Sequence, residues 1–152
     1  MTNKRNLAIV RAWFRLLARG EYAKMHELQT KDVVWDVIAG PSETLVPWLG
    51  KFRGRAGIDR CLARFSGAVE SEAFELHDFL TGPGGQVAVI GRTRLRERQT
   101  GARMHIDFVE YFRLRRGKIA YVRVYGDSAG AACAFAALPR RATTRTTKRA
   151  AR

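Results

Sequence analysis

The acidic residue best placed for chemistry is Glu110. Gln86 to Arg98 and Arg103 to Leu114 read as two long strands. Gln99-Thr100-Gly101-Ala102 joins them as a short turn, which makes an antiparallel hairpin. With Arg98 opposite Arg103, one face carries Val87, Val89, Gly91, Thr93 and Leu95 against Ile106, Phe108, Glu110, Phe112 and Leu114. The other face carries Arg92, Arg94, Arg96 and Arg98 against His105, Asp107, Val109 and Tyr111. Side chains alternate with period two, so only one face is core, and the apolar set is that face. Glu110 is then enclosed among apolar residues, opposite Gly91 in this register, where a missing side chain leaves room. Burial disfavours an ionised carboxylate, and a raised pKa suits a general acid or base near neutral pH. The alternative is an ion pair with Arg123 on the following strand. A one-residue change at the Arg116-Gly117 turn decides which face Arg123 takes.

Other residues offer chemistry less directly. His105 and Asp107 share a face two residues apart, as an acid-base pair or, more simply, with Asp107 paired to Arg94 across the hairpin. The Arg92, Arg94, Arg96 and Arg98 row suits phosphate or an acidic partner, or is neutralised by Asp107 and nearby acids. Without interleaved aromatics it makes a poor platform for single-stranded nucleic acid. His26 and His77 have no evident partner. Trp13, Trp35, Trp48, Phe65, Phe108 and Phe112, with Val37 and Val122, are candidates to line an apolar pocket; for Phe65 and Phe112 ordinary core packing explains them as well. Trp48 falls in a loop and is best placed to touch a ligand. No histidine and carboxylate set has metal-ligand spacing, and there is no phosphate-binding glycine loop, so neither a metal nor a cofactor is expected. Cys61 and Cys133 lie far apart in no ligand spacing; Cys61 reads as a small core residue on a helix.

The elements that position these residues follow from periodicity. Leu7, Val10, Phe14 and Leu17, widened by Trp13 and Leu16, predict a helix over about Lys4 to Arg19, ended by Gly20. A short helix follows from Glu21 to Leu28. Asp32 to Ile38 reads as a strand, and Pro41 to Gly54 as a loop long enough to rim a pocket. Ile58, Cys61, Leu62, Phe65 and Val69 predict a third helix over about Arg55 to Glu70. Strands are then expected at Ala73–Thr81, Gln86–Arg98, Arg103–Leu114 and Lys118–Tyr125, and Asp127 or Ser128 caps a last short helix through Phe135. Helices and strands are segregated, which argues for an α+β fold. Strands of 12 or 13 residues exceed the usual length and must twist and curl. The expected architecture is a cone-shaped α+β barrel, with helices packed on a strongly curved antiparallel sheet around a cavity.

The 152 residues suffice for one domain, 1–138, followed by a basic disordered tail, 139–152. The chain carries +14; beyond Leu138 lie six basic residues and no acid. Such a tail attracts polyanions weakly and without specificity, or simply aids solubility. No apolar run approaches a membrane span. The segment Met-Thr-Asn-Lys-Arg-Asn-Leu lacks the long apolar region of a signal peptide, so a cytoplasmic location is expected.

Several local motifs, in this order, resemble the nuclear transport factor 2-like superfamily, and within it SnoaL-like polyketide cyclase and ketosteroid-isomerase-type domains. They are Ala18-Arg19-Gly20-Glu21, Asp32-Val33-Val34-Trp35, Phe52-Arg53-Gly54-Arg55-Ala56-Gly57-Ile58, Arg116-Gly117-Lys118-Ile119 and Tyr125-Gly126-Asp127. The resemblance covers roughly residues 5 to 136. It implies a cone open to a hydrophobic small molecule, and a homodimer packed through the outer sheet faces. In ketosteroid isomerases an aspartate base, a tyrosine and a protonated aspartate do the chemistry. The protonated acid falls on Glu110, but the tyrosine falls on Trp13 and the base on Val37, so steroid isomerisation is not expected. The Arg-x-Asp pair of limonene-epoxide-hydrolase-type relatives is absent from Arg92, Arg94 and Arg96 as well. The expectation is a binder of a hydrophobic ligand that catalyses cofactor-independent isomerisation, cyclisation or dehydration. The alternatives are a non-catalytic ligand-binding or dimerisation module, and a nucleic-acid-associated protein working through its tail.

Overall fold

Four helices and six strands make up the computed structural model, which describes residues 2–38, 40 and 44–136. The 139–152 tail lies outside the described residues. Helix α1 (Asn3–Ala18) buries Val10, Trp13 and Phe14 along one stripe. Gly20, at φ 68°, turns the chain out of it, and the N–H groups of Gly20 and Glu21 close on the carbonyls of Leu17 and Leu16, at 3.0 Å each. The short helix α2 (Tyr22–Glu27) leads into strand β1 (Gln29–Val37). Strand β2 (Gly50–Arg53), helix α3 (Gly54–Ala68) and strands β3 (Val69–Gly82), β4 (Gln86–Glu97), β5 (Arg103–Arg115) and β6 (Lys118–Gly126) follow, before helix α4 (Ser128–Ala136).

The strands form one sheet in the order β2-β1-β6-β5-β4-β3. It is α+β, curved and unclosed, with the helices against its inner face. Two register shifts in β3 and one in β1 mark bulges, which bend long strands around the core. Two details differ from the sequence reading. The Pro41 to Gly54 stretch contributes the short strand β2, which pairs with β1; four residues with one buried side chain, Phe52, carry too little pattern to show as a strand. The sheet is also not wholly antiparallel, because β1 runs parallel to β6.

The β4–β5 hairpin keeps the predicted faces with a different register. Arg96, not Arg98, stands opposite Arg103; Val89, not Gly91, stands opposite Glu110. A shift of two residues preserves which face each side chain takes. The cause is Glu97. Its N–H donates to the Ala102 carbonyl at 2.8 Å, and its carboxylate accepts the N–H groups of Gln99 and Thr100 and the Thr100 hydroxyl. The turn therefore begins at Arg98, which leaves the arginine row; its Nε donates to the Ser66 carbonyl instead, at 2.8 Å. Asp127 caps α4 as expected, accepting the Gly130 N–H at 3.0 Å.

Candidate active site

Pairing across the sheet sets the inner face in rungs. One rung runs Trp35, Val122, Phe112 and Val87. The next runs Val37, Val124, Glu110, Val89 and Phe79. A third places Phe108 between Gly91 and Gly126. The first rung is a sealed floor. Trp13 of α1 lies on it, with its ring 5.3 Å from Trp35 and 5.4 Å from Phe112, and Trp13, Phe112 and Val122 have no exposed surface. Trp48 sits edge-on to Phe65 of α3 at 5.0 Å and to Phe135 of α4 at 5.6 Å.

Glu110 takes the inner face of the sheet in the second rung. The residue is not sealed, yet its carboxyl is surrounded by protein and not by bulk water. Among the described residues no donor reaches it and no cation pairs with it. Desolvation alone pushes its pKa up to about 8, so the neutral acid prevails at neutral pH. Cys61 of α3 lies near Glu110: burial, opposed by Arg64 and reinforced by Glu110, pushes its thiol up to about 12. Its Sγ donates to the Trp48 carbonyl at 3.7 Å. A thiol held protonated is packing and not a nucleophile. The indole N–H groups of Trp13 and Trp35 are buried without an acceptor among the described residues.

The Arg123 alternative is settled by the β5–β6 register. Arg123 stands opposite Tyr111 on the outer face, where its Nε lies 3.8 Å from Asp36. Asp36 also accepts the Tyr121 hydroxyl at 3.0 Å. Asp107 pairs with Arg92 at 2.6 Å, not with Arg94, because the register moved by two. Arg94 faces His105 instead. His105 and Asp107 thus lie on the outer face, away from Glu110.

The predicted lining residues fall on different levels. Trp13, Trp35, Phe112 and Val122 make the floor. Val37 shares the rung of Glu110, Phe108 stands on the third rung, and Trp48 packs against Phe65. Phe108 reaches its place because Gly91 has no side chain; a Cβ there would come within 2.5 Å of the Phe108 ring. Phe108 in turn stacks on Phe74 at 5.4 Å and 18°.

Sequence reasoning missed two polar clusters, each built on a buried side chain. Glu97 is one. Its exposure of 1% could be read from its parity with Leu95, but not the donors that meet it. The other joins His26 to Asp59 at 2.7 Å and to Gln29 at 3.1 Å, linking α2, α3 and β1. His26 and Asp59 are 33 positions apart, and no local pattern signals such a pair. No group of three or more metal-ligating side chains occurs among the described residues.

A family model, the SnoaL-like domain, matches residues 10–122. The chain belongs to the SnoaL-like family. Solved structures agree on the nuclear transport factor 2-like fold. An NTF2-like protein from Burkholderia xenovorans LB400 is 25% identical, with a TM-score of 0.79 over 89% of this chain and 98% of its own. A candidate isomerase from Bacillus subtilis is 15% identical, with a TM-score of 0.73 over 90% and 96%. A candidate SnoaL-like polyketide cyclase from Mesorhizobium loti is 20% identical, with a TM-score of 0.63 over 82% and 99%. No curated relative matches the chain. No helix among the described residues is long and apolar enough to cross a membrane.

Proposed function

We propose that this SnoaL-like protein binds a hydrophobic, carbonyl-bearing small molecule beside Glu110 and isomerises, cyclises or dehydrates it by acid-base chemistry without a cofactor. The observation that carries this reading is the Glu110 carboxyl on the apolar inner face of the sheet, met by no donor or cation among the described residues. A structural carboxyl would be expected to have donors or a cation, as Glu97 and Asp36 do. A carboxyl with its pKa near 8 donates a proton to a carbonyl oxygen readily and takes one back from carbon at little cost. Fold-level likeness to solved proteins named as an isomerase and a polyketide cyclase supports the reaction class.

Glu110 has no second titratable partner in its rungs, so one carboxyl must both deliver and recover the proton. That requirement favours rearrangements in which the proton returns to the same molecule. The same solitude supports a second reading, a ligand carrier without turnover. Mass spectrometry of molecules co-purified with the protein identifies the ligand. Incubating that ligand with the wild type in deuterated water should exchange or convert it. Glu110→Gln should bind it and leave it unchanged. Equal turnover in Glu110→Gln removes Glu110 from the mechanism, and binding without conversion in the wild type selects the carrier.

A further inference from the structure

The outer face of the sheet, opposite to Glu110, carries a concavity of about 630 Å³ across β4, β5 and β6. Tyrosine and arginine alternate over it. Tyr111 and Arg113 of β5 stand against Arg123 and Tyr121 of β6, and Tyr125 stands against Val109 in the next rung. Among the described residues no carboxylate lines the concavity.

The arginines are held over the tyrosine rings. The Arg113 guanidinium lies 5.9 Å from the Tyr111 ring and 5.8 Å from the Tyr121 ring, and the Arg123 guanidinium 5.4 Å from the Tyr125 ring. Tyr125 is still 47% exposed, so its ring remains accessible. Asp36, beside Arg123 in the same rung, is already shared. It accepts the Tyr121 hydroxyl at 3.0 Å and lies 3.8 Å from Arg123 and 4.0 Å from Lys51. One carboxylate cannot neutralise two cations, so the patch keeps a positive excess. On the same face β4 presents Arg94, whose neighbour on β5 is His105 and not an acid. The aromatics missing from the arginine row of β4 are thus supplied by β5 and β6.

We propose that this face binds single-stranded nucleic acid, with bases stacked on Tyr111, Tyr121 and Tyr125 and phosphates on Arg113 and Arg123. Alternating aromatic surface and fixed cation matches a chain of bases joined by phosphates, and it needs no group that reads sequence. Stacking and phosphate contacts do not read the sugar, so DNA and RNA are equivalent ligands. A second copy of this chain fits the face less well. A two-fold contact would press each set of arginines toward the other, with Asp36 already engaged. The site is independent of Glu110, which lies on the inner face.

Titration of the isotope-labelled full chain with oligothymidylate of about eight nucleotides, within the usual site size, tests it by NMR of the tyrosine rings. The ring resonances of Tyr111, Tyr121 and Tyr125 should shift together and saturate. An oligonucleotide held only by the basic residues beyond Leu138 would leave them unmoved, which overturns the proposal. Oligouridylate should bind within about threefold of oligothymidylate, and a duplex of the same length about tenfold more weakly, because paired bases offer no free faces. Tyr125→Ala, at an exposed position, should weaken binding by about tenfold. Arg113→Gln should lower the slope of log affinity against log salt by about 0.7. If either variant does not fold, the ring shifts and the duplex comparison on the wild type decide. Equal binding of the duplex, or full affinity in Tyr125→Ala, overturns the proposal. So does a dimer in sedimentation equilibrium that oligothymidylate leaves intact and Tyr125→Arg splits, which assigns the face to a second copy.

Discussion

Glu97 and Glu110 occupy the same face of one hairpin and behave oppositely. Glu97, at the turn, is almost wholly buried. Desolvation pushes its pKa up, but the N–H groups of Gln99 and Thr100 and the Thr100 hydroxyl outweigh that cost and hold it below the usual range. Glu110, mid-strand, retains some accessible surface but meets only apolar neighbours, and its pKa rises to about 8. Burial alone therefore does not decide a carboxyl's charge; the donors within reach do. The turn supplies free backbone N–H groups, whereas in mid-strand every N–H is engaged in the ladder.

The sharpest way to break this contrast is catalytic. Glu110→Gln should lower turnover of the bound ligand by about 10²–10⁴-fold, the usual contribution of a positioned acid or base. Glu97→Gln should change turnover little. Single-turnover assays by mass spectrometry compare the two.

Stability against pH should separate them next. Glu110 binds its proton more tightly folded than unfolded, where 4.5 is the ordinary value. Its contribution is complete below about pH 4.5 and is lost as pH rises to about 8, by roughly 4–5 kcal/mol at most. Glu110→Gln should flatten that fall in urea melts across this window. Glu97 has the opposite sign: its stabilisation is present above about pH 4.5 and lost as pH falls through its lowered folded value. An unaltered fall between about pH 4.5 and 8 in Glu110→Gln would show that the carboxyl is not enclosed.

Smaller effects refine the picture. Glu97→Ala leaves the Gln99 and Thr100 N–H groups without their acceptor and should cost about 1–3 kcal/mol in chemical denaturation. Gly91→Ala would meet both the Phe108 ring and the Glu75 carbonyl at 2.5 Å, so it should shift β3 as well as Phe108 and cost about 1–3 kcal/mol, read as a shifted melting midpoint and altered Phe108 ring resonances. Arg123→Gln should leave the titration of Glu110 unmoved, because the two side chains lie on opposite faces of the sheet. A shift of that titration in carbon NMR would place Arg123 inside after all.

Much of this was legible in the chain. The alternation from Val87 to Leu95 and from Ile106 to Leu114 determined which face is buried, and so that Glu110 is enclosed while Arg92, Arg94 and Arg96 look outward. Apolar periodicity determined α1 and α3, and the segregation of helices from strands determined the α+β class. Parity survives a two-residue slip, which is why the faces were right although the register was not. Tertiary structure decided the rest. The meeting of His26 with Asp59 and that of Arg123 with Asp36 each join segments far apart in sequence. Local pattern encodes burial through a short-range repeat, whereas partnership between distant residues exists only once the chain has closed on itself.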